Sequence, residues 1–350
     1  MNQIVKNILP SKILVSGGLG YIGSHTSVEL IQQGFEIIIV DDLSNSSTDV
    51  LEGIKKITGI FPEFIKLDLR DKKEVNRLFE DHPDLGGIIH FAAFKAVGES
   101  VNQPLEYYEN NIGSLIYLLQ AIESKGRKFS FIFSSSCTVY GQADQLPITE
   151  QAPIKKAESP YGNTKQIGED ILYDNTRSNV LLKVISLRYF NPIGGHSSIE
   201  IGELPKGNPQ NLVPFITQTA AGIHQKLNVF GDDYPTLDGT CVRDYIHVVD
   251  LAKAHVVGLK RMMADEQSEN FEVFNLGTGK GNSVLEVIKT FEKVSGIALN
   301  YEIVDRRPGD IVEAYADTTK ANKILGWEAK NDLEEALKTA WEWEKKIRNF

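Results

Sequence analysis

Residues 12–46 read KILVSGGLGYIGSHTSVELIQQGFEIIIVDDLSNS. KILVS is a short, apolar, β-prone run of the kind that forms a buried parallel strand. Gly17, Gly20 and Gly23 follow it at three-residue spacing. Ile22, Val28, Leu30 and Ile31 then supply the apolar side of a helix expected to stop near Gly34. EIIIV is the next strand, and Asp41 stands at its end. Glycines there permit a tight turn and let backbone approach a pyrophosphate, while the helix N-terminus presents free N–H groups to the anion. Asp41 can accept hydrogen bonds from both hydroxyls of an adenosine ribose and would repel a 2′-phosphate, which favours NAD over NADP. A glycine-rich turn between any strand and helix is the bland alternative. The strand before, the helix after and an acid about 20 residues on argue against it.

Outward from this cradle, EFIKLDLRD, GGIIHFAAFKAVGES and FSFIFSSSCTVYG read as further β segments. KKEVNRLFEDH and PLEYYENNIGSLIYLLQAIESKG read as the helices between them. Alternating β and α units predict an α/β fold, a doubly wound parallel sheet. Ligands gather at the carboxyl ends of such strands, so Asp68, Lys95 and the run from Ser134 to Thr138 become candidates. Hydroxyls after a strand often only cap turns, which is the plain alternative for Ser136 and Thr138.

SPYGNTK places Tyr161 and Lys165 four positions apart at the expected start of a helix, hence on one face. Chance also produces such pairs, as Tyr173 and Arg177 illustrate. With Ser136 some 25 residues earlier, the pair completes a Ser…Tyr-x-x-x-Lys set. A nearby ammonium, together with the positive ring of NAD⁺, would favour the phenolate and lower the tyrosine from its usual pKa of about 10. Such a phenolate can take a proton from an alcohol while hydride leaves the same carbon.

The bulk numbers exclude other classes. The chain has 350 residues, 41% of them hydrophobic, enough for one large or two ordinary domains. A net charge of −10 argues against a nucleic-acid surface. The two cysteines, Cys137 and Cys241, provide no disulfide framework, as expected for a reducing cytosol. The opening MNQIVKNILPSKILVSGG carries no signal-peptide pattern, and no apolar run is long enough for a membrane span. The seven histidines show no zinc-site spacing, so no metal is expected.

SGGLGYIGSHTSVELI, IIHFAAFKAVGESVNQPLEYYENN, FIFSSSCTVYG, SPYGNTK, LRYFNPIGGH, NNIGS and GDDYPTLDGTCVRDYIHVVDLAKAHV together resemble the UDP-glucose 4-epimerase family. That family lies within the extended short-chain dehydrogenase/reductases. The resemblance runs from about Lys12 to about Trp343. It implies a bound NAD, a UDP-sugar substrate, inversion at C4 through a 4-keto sugar, and a homodimer built on helices 104–124 and 160–177. It further implies that Gly17, Gly20, Tyr21, Ile22 and Gly23 hold the pyrophosphate side. Asp41 and Asn45 then hold the adenosine ribose, and Asp68 and Leu69 line the adenine. Phe91, Ala92, Lys95, Asn110 and Phe190 fall along the nicotinamide side, where Lys165 grips the ribose. Tyr161, Lys165, Ser136 and Thr138 are the implied catalytic set. Lys95, Ser136, Tyr161, Asn191, Asn211, Leu212, Phe230, Arg243, Arg307 and Asp310 are the implied substrate contacts. Spacing alone reads Arg243 as an internal ion pair with Asp244, and Arg306 and Arg307 as a solvated turn before Pro308.

The chain departs from that pattern in three places. Cys137 stands where many relatives carry Ala, and Ala93 replaces a frequent Gly. Ala314, with Tyr315 beside it, falls where sugar-specific relatives carry a bulky Tyr. A small side chain there would leave room for an N-acetyl group at the sugar C2. A rival 4,6-dehydratase or decarboxylase would need an acid and a base at 137 and 138, where Cys and Thr stand. A non-catalytic NAD-binding regulator on the same fold would be expected to lack the Tyr or the Lys. From about Phe190 the chain turns rich in Gly, Pro and Asn, which places a domain change there. The expectation is a Rossmann domain over residues 1–190 and a smaller mixed α/β sugar-nucleotide domain over 191–350. Residues near 243–262 are expected to pack back on the first domain, and DLEEALKTAWEWEKKIRNF to close the chain as an amphipathic helix.

Overall fold

The computed structural model describes residues 12–307 and 310–349, so the expectations for the first eleven residues and for Pro308 lie outside the described residues. Its centre is a seven-stranded sheet. Six strands are β1 Lys12–Ser16, β2 Ile37–Asp41, β3 Glu63–Lys66, β4 Leu85–His90, β5 Phe129–Ser136 and β6 Leu182–Tyr189. The seventh is Phe271–Leu276. The order across the sheet is Phe271–Leu276, β6, β5, β4, β1, β2, β3, with every pairing parallel. β1 and β2 are apolar on both faces because helices cover both.

Alternate residues of one strand feed two cores. Ile13 and Val15 pack with Val28 and Leu30 of helix Tyr21–Gln32 and with Leu251 and Leu259 of helix Val248–Met263. Leu14 packs on the opposite face with Val75, Leu118 and Leu172. Helix Val248–Met263 therefore belongs to the packing of the central sheet although it lies late in the chain. A separate apolar cluster around Phe291, Leu337 and Trp341 organises the second half with helices Val284–Ser295 and Leu333–Arg348.

Two segments differ from the expectation. GGIIHFAAFKAVGES is a strand only to His90, and the chain then turns over β1, with Phe91 and Ala92 both donating to the Ser16 carbonyl. The helix expected over 104–124 is interrupted by a wide π turn at Glu109–Gly113. There the Asn111 side chain accepts from Phe94 N at 2.8 Å and donates to the Phe94 carbonyl and to Thr164 Oγ1, each at 3.0 Å. One amide thus ties the loop after β4 to helix Pro160–Ser178.

That helix is also fixed from below. Glu169 and Arg188 are paired at 2.5 Å with side chains only 9% and 7% exposed. Ser135 and Ser186 donate to Glu169, while Arg188 donates to the Tyr140 hydroxyl, which donates in turn to Asn275. Every charge in this buried set has partners, which is the condition for tolerating it. Among the described residues no helix is long and apolar enough to cross a membrane. Because removing one partner strands the other, Arg188→Met should lower unfolding stability by about 3–5 kcal/mol, and Arg188→Met with Glu169→Leu by less, as read by chemical denaturation.

Candidate active site

The glycine cradle forms as the sequence predicts. Gly17 has φ +67°, and a Cβ there would stand 2.7 Å from the Ala92 backbone nitrogen. A Cβ on Gly23 would collide with the Gly17 carbonyl. No side chain caps the helix that begins at Tyr21, so its first N–H groups face the turn. Ile22 packs against the core beneath. The Tyr21 hydroxyl donates to the Gly194 carbonyl at 2.6 Å, joining the cradle to the second half of the chain. Asp41 is buried and already oriented: it accepts from Leu19 N, Leu43 N and Ser46 Oγ. Asn45 is exposed in the same loop. Asp68 is gripped by Arg70 through both carboxylate oxygens, which holds its carboxyl below the usual range. The Leu69 side chain belongs to the sheet core.

Ser136 ends β5 and accepts from Thr138 N, opening the tight turn Cys137–Tyr140. Thr138 Oγ1 is buried without a partner, an unusual state for a hydroxyl. Ser159 caps helix Pro160–Ser178 by accepting from Gly162 N, and Pro160 takes the first helical position. The cap sets Tyr161 and Lys165 one turn apart beside Ser136. Lys165 is only 4% exposed, its Nζ donates to the Ser134 carbonyl at 2.6 Å, and it lies 5.8 Å from the centre of the Tyr161 ring. Burial pulls the Lys165 pKa down to about 8, with Glu169 opposing. Burial pushes the Tyr161 phenol up to about 12, and the Ser136 hydroxyl pulls it back. Within the chain alone, then, desolvation of the phenol prevails, and the acidification expected of the lysine together with the positive ring of NAD⁺ would need the cofactor.

Phe91 lies against His255, with ring centres 4.8 Å apart, and Ala92 follows in the turn over Gly17. Asn110 donates to its neighbour Asn111, and Phe190 is buried where the two halves meet. Lys95 is exposed, with Nζ 3.8 Å from Glu203. Across the cleft, Asn191 is tied to Asp244 through the backbone, and Leu212 packs into the second core while Asn211 bonds Glu203. Arg307 pairs with Asp310 at 3.1 Å and lies over the Phe230 ring, and Arg243 points to the same Asp310 at 3.9 Å. Asp244 is instead occupied by Thr278, Gly279 and Ala316, which overturns the reading of Arg243 as its ion-pair partner. Arg306 pairs with Asp233 at 2.6 Å and stacks on Tyr234, so it is held rather than loose in solvent. The glycines, open N–H groups and unpartnered Thr138 hydroxyl fit a dinucleotide. No cluster of metal-ligating side chains is found among the described residues.

A family model described as GDP-mannose 4,6 dehydratase matches residues 14–340. The UDP-glucose 4-epimerase of Bacillus subtilis (strain 168) is 51% identical, over 95% of this chain and 96% of its own. The chain belongs to the UDP-glucose 4-epimerase family. Among solved structures, the Stenotrophomonas maltophila UDP-glucose 4-epimerase with bound NAD and formylated UDP-arabinopyranose superposes with TM-score 0.93 at 46% identity, over 97% and 99% of the chains. The Bifidobacterium longum UDP-glucose 4-epimerase in complex with NAD+ and UDP gives 0.91 at 45%, over the same shares.

In this epimerase the turn that would carry a dehydratase's acid and base cannot supply them: burial pushes the Cys137 thiol up to about 11, and Thr138 does not ionise. Ala314 is buried in the cluster of Phe190 and Ala316, against which Cys137 packs, whereas Tyr315 faces a separate surface groove with Lys280 and Asn282. Sequence reasoning missed Asn111, Glu169, Arg188 and Glu203, whose partners come from other elements of the fold. An ammonium so placed predicts a specific pH signature. Lys165→Met should lower kcat at neutral pH by at least about 10². The deficit should shrink as pH rises and the phenol ionises unaided. Parallel pH–rate profiles of the two proteins would contradict that role.

Proposed function

We propose that this epimerase interconverts UDP-glucose and UDP-galactose by inverting C4 of the hexose. The observation that carries the reading is Tyr161 beside Ser136 and the buried Lys165, at the carboxyl end of β5, one strand from the cradle strands. NAD held in this cradle would supply a reversible acceptor for the C4 hydride, which lets the hydride be given back to the other face of the sugar. Tyr161 takes the O4 proton as the ketone forms and gives it back as the alcohol re-forms, so the sum contains no net oxidation. Ser136 and Thr138 hold the sugar oxygen, and Lys165 keeps a positive charge near the phenolate and grips the cofactor ribose.

The cofactor's diphosphate is held by Gly17, Gly20, Tyr21 and Gly23, its adenosine by Asp41, Asn45, Asp68 and Leu69, and its nicotinamide end by Phe91, Ala92, Lys95, Asn110 and Phe190. Residues 12–190, joined by helix Val248–Met263 and strand Phe271–Leu276, make up this half. The rest of the chain supplies the sugar-nucleotide contacts Asn191, Asn211, Leu212, Phe230, Arg243, Arg307 and Asp310, and Lys95 reaches the diphosphate of the same ligand from the first half. Guanidinium forks suit a diphosphate. The cofactor must not leave with the hydride. In support, the segment after β6 crosses the cradle, bonding Tyr21 through Gly194 and the Leu43 and Ser44 carbonyls through Lys206. Two free cysteines suit a cytosolic setting. A homodimer is supported by exposed Val101, Leu105 and Tyr173 on neighbouring helices.

Ala314 favours a second substrate class, the N-acetylated UDP-hexosamines, because its methyl rather than the Tyr315 ring faces the Phe190 and Cys137 cluster. Product NMR with each UDP-sugar tests both readings: epimers are expected, and a 6-deoxy-4-keto sugar would mean dehydration. Tyr161→Phe should cut turnover by roughly 10²–10⁴ with NAD still bound, and unchanged turnover would defeat its role. Ala314→Tyr should reduce UDP-GlcNAc activity at least about tenfold relative to UDP-glucose, and equal ratios would remove the second class.

A further inference from the structure

Glu203 lies in the segment that crosses from the first half of the chain to the second, and neither the motifs nor the proposed reaction gives it a role. Its side chain is 12% exposed. One carboxylate oxygen, Oε1, serves two groups from opposite sides of the cleft. Asn211 Nδ2 donates to it at 3.0 Å, and Lys95 Nζ stands 3.8 Å away, too far for a hydrogen bond and near enough for an ion pair. Among the described residues no other cation comes within ion-pair distance of it.

The position is rigidly built. A Cβ on Gly202 would collide with the Trp343 ring, so glycine lets the indole lie against the chain. Trp343 Nε1 then donates to the Glu203 carbonyl at 2.9 Å. Asn211 occupies the cap position of helix Leu212–Ala220, but its side chain makes no cap bond, and its Nδ2 donates to Glu203 instead. Lys95, by contrast, is 54% exposed and makes no hydrogen bond to the carboxylate. A carboxylate held in place by its backbone thus engages one fixed amide and one loosely held ammonium.

We propose that Glu203 is a positioning residue that holds Lys95 and Asn211 across the cleft mouth and competes with the diphosphate of the sugar nucleotide for them. This rests on the reading that Lys95 and Asn211 face that ligand. A diphosphate that draws Lys95 away leaves a largely buried carboxylate with less compensation, which weakens ligand binding and speeds release. The wild-type residue therefore favours turnover over tight binding.

Calorimetric titration of the NAD-loaded enzyme with UDP and with uridine tests this. Glu203→Gln keeps an acceptor for Asn211 and removes the charge. It should tighten UDP roughly tenfold and leave uridine unchanged. Glu203→Met removes the charge at similar volume, and should also tighten UDP relative to uridine. With UDP-glucose the glutamine variant should lower KM while kcat does not rise. In a Lys95→Met background the gain from Glu203→Gln should largely vanish, since the contested cation is gone. Unchanged or weaker UDP binding, equal changes for UDP and uridine, or an undiminished gain without Lys95 would each overturn the proposal and leave the site reading standing. Failure of the wild-type enzyme to bind UDP saturably would overturn the site reading itself.

Discussion

A buried ammonium held by a single backbone carbonyl sets the terms for this molecule. Lys165 is 4% exposed and donates to Ser134 O at 2.6 Å. An amine removed from water in this way favours its neutral form unless its surroundings resist, and the Lys165 pKa is accordingly drawn to about 8. Keeping the charge requires that helix Pro160–Ser178 sit at one height over β5. Glu169, one turn beyond Lys165, fixes that height through Ser135 of β5 and Ser186 and Arg188 of β6. Asn111 fixes the other end through Thr164. The polar network beneath the helix and the amide above it are consequences of one need, a cation parked beside a phenol.

The second constraint is the junction between the two halves. Ile148 exchanges backbone bonds with Tyr315 and Asp317, and Phe190, Ala314 and Ala316 pack around it. Arg243 of the second half thereby comes near Cys137, just past the end of β5. Residues 194–206 cross the cradle and are tied at Tyr21, Lys56, Lys95 and the loop after β2. The same segment that supports retention of the cofactor also carries Glu203. Under the two proposals, retention of the cofactor and release of the sugar nucleotide would both act through this one piece of chain, by the bonds to Tyr21, Leu43 and Ser44 on one side and the ion pair with Lys95 on the other.

What the sequence disclosed was local. The glycine turn, Asp41 and the Tyr161–Lys165 spacing each lie within a few residues of the structure they specify, and all fold as read. The strand after Gly86 was over-extended because its end is set by Ser16, whose carbonyl captures Phe91 and Ala92 from another strand. The Arg188–Glu169 pair and the Tyr140–Asn275 bond were invisible for the same reason, the latter spanning 135 residues. Periodicity marked helix 104–124 but not its π turn, since one extra residue in a turn leaves the apolar pattern nearly intact. The pair's spacing gave proximity but not the desolvation of the ring, which in the chain alone holds Tyr161 up to about 12 and leaves its acidity to the cofactor.

The central claim is that Tyr161 ionises readily once the cofactor's positive ring joins Lys165. It is tested most directly by ultraviolet titration of the NAD-loaded enzyme, taking the phenolate absorbance that disappears in Tyr161→Phe. The account predicts that this signal titrates below the ordinary tyrosine value of about 10. A signal that appears only toward about 12, where the chain alone holds the phenol, would contradict it.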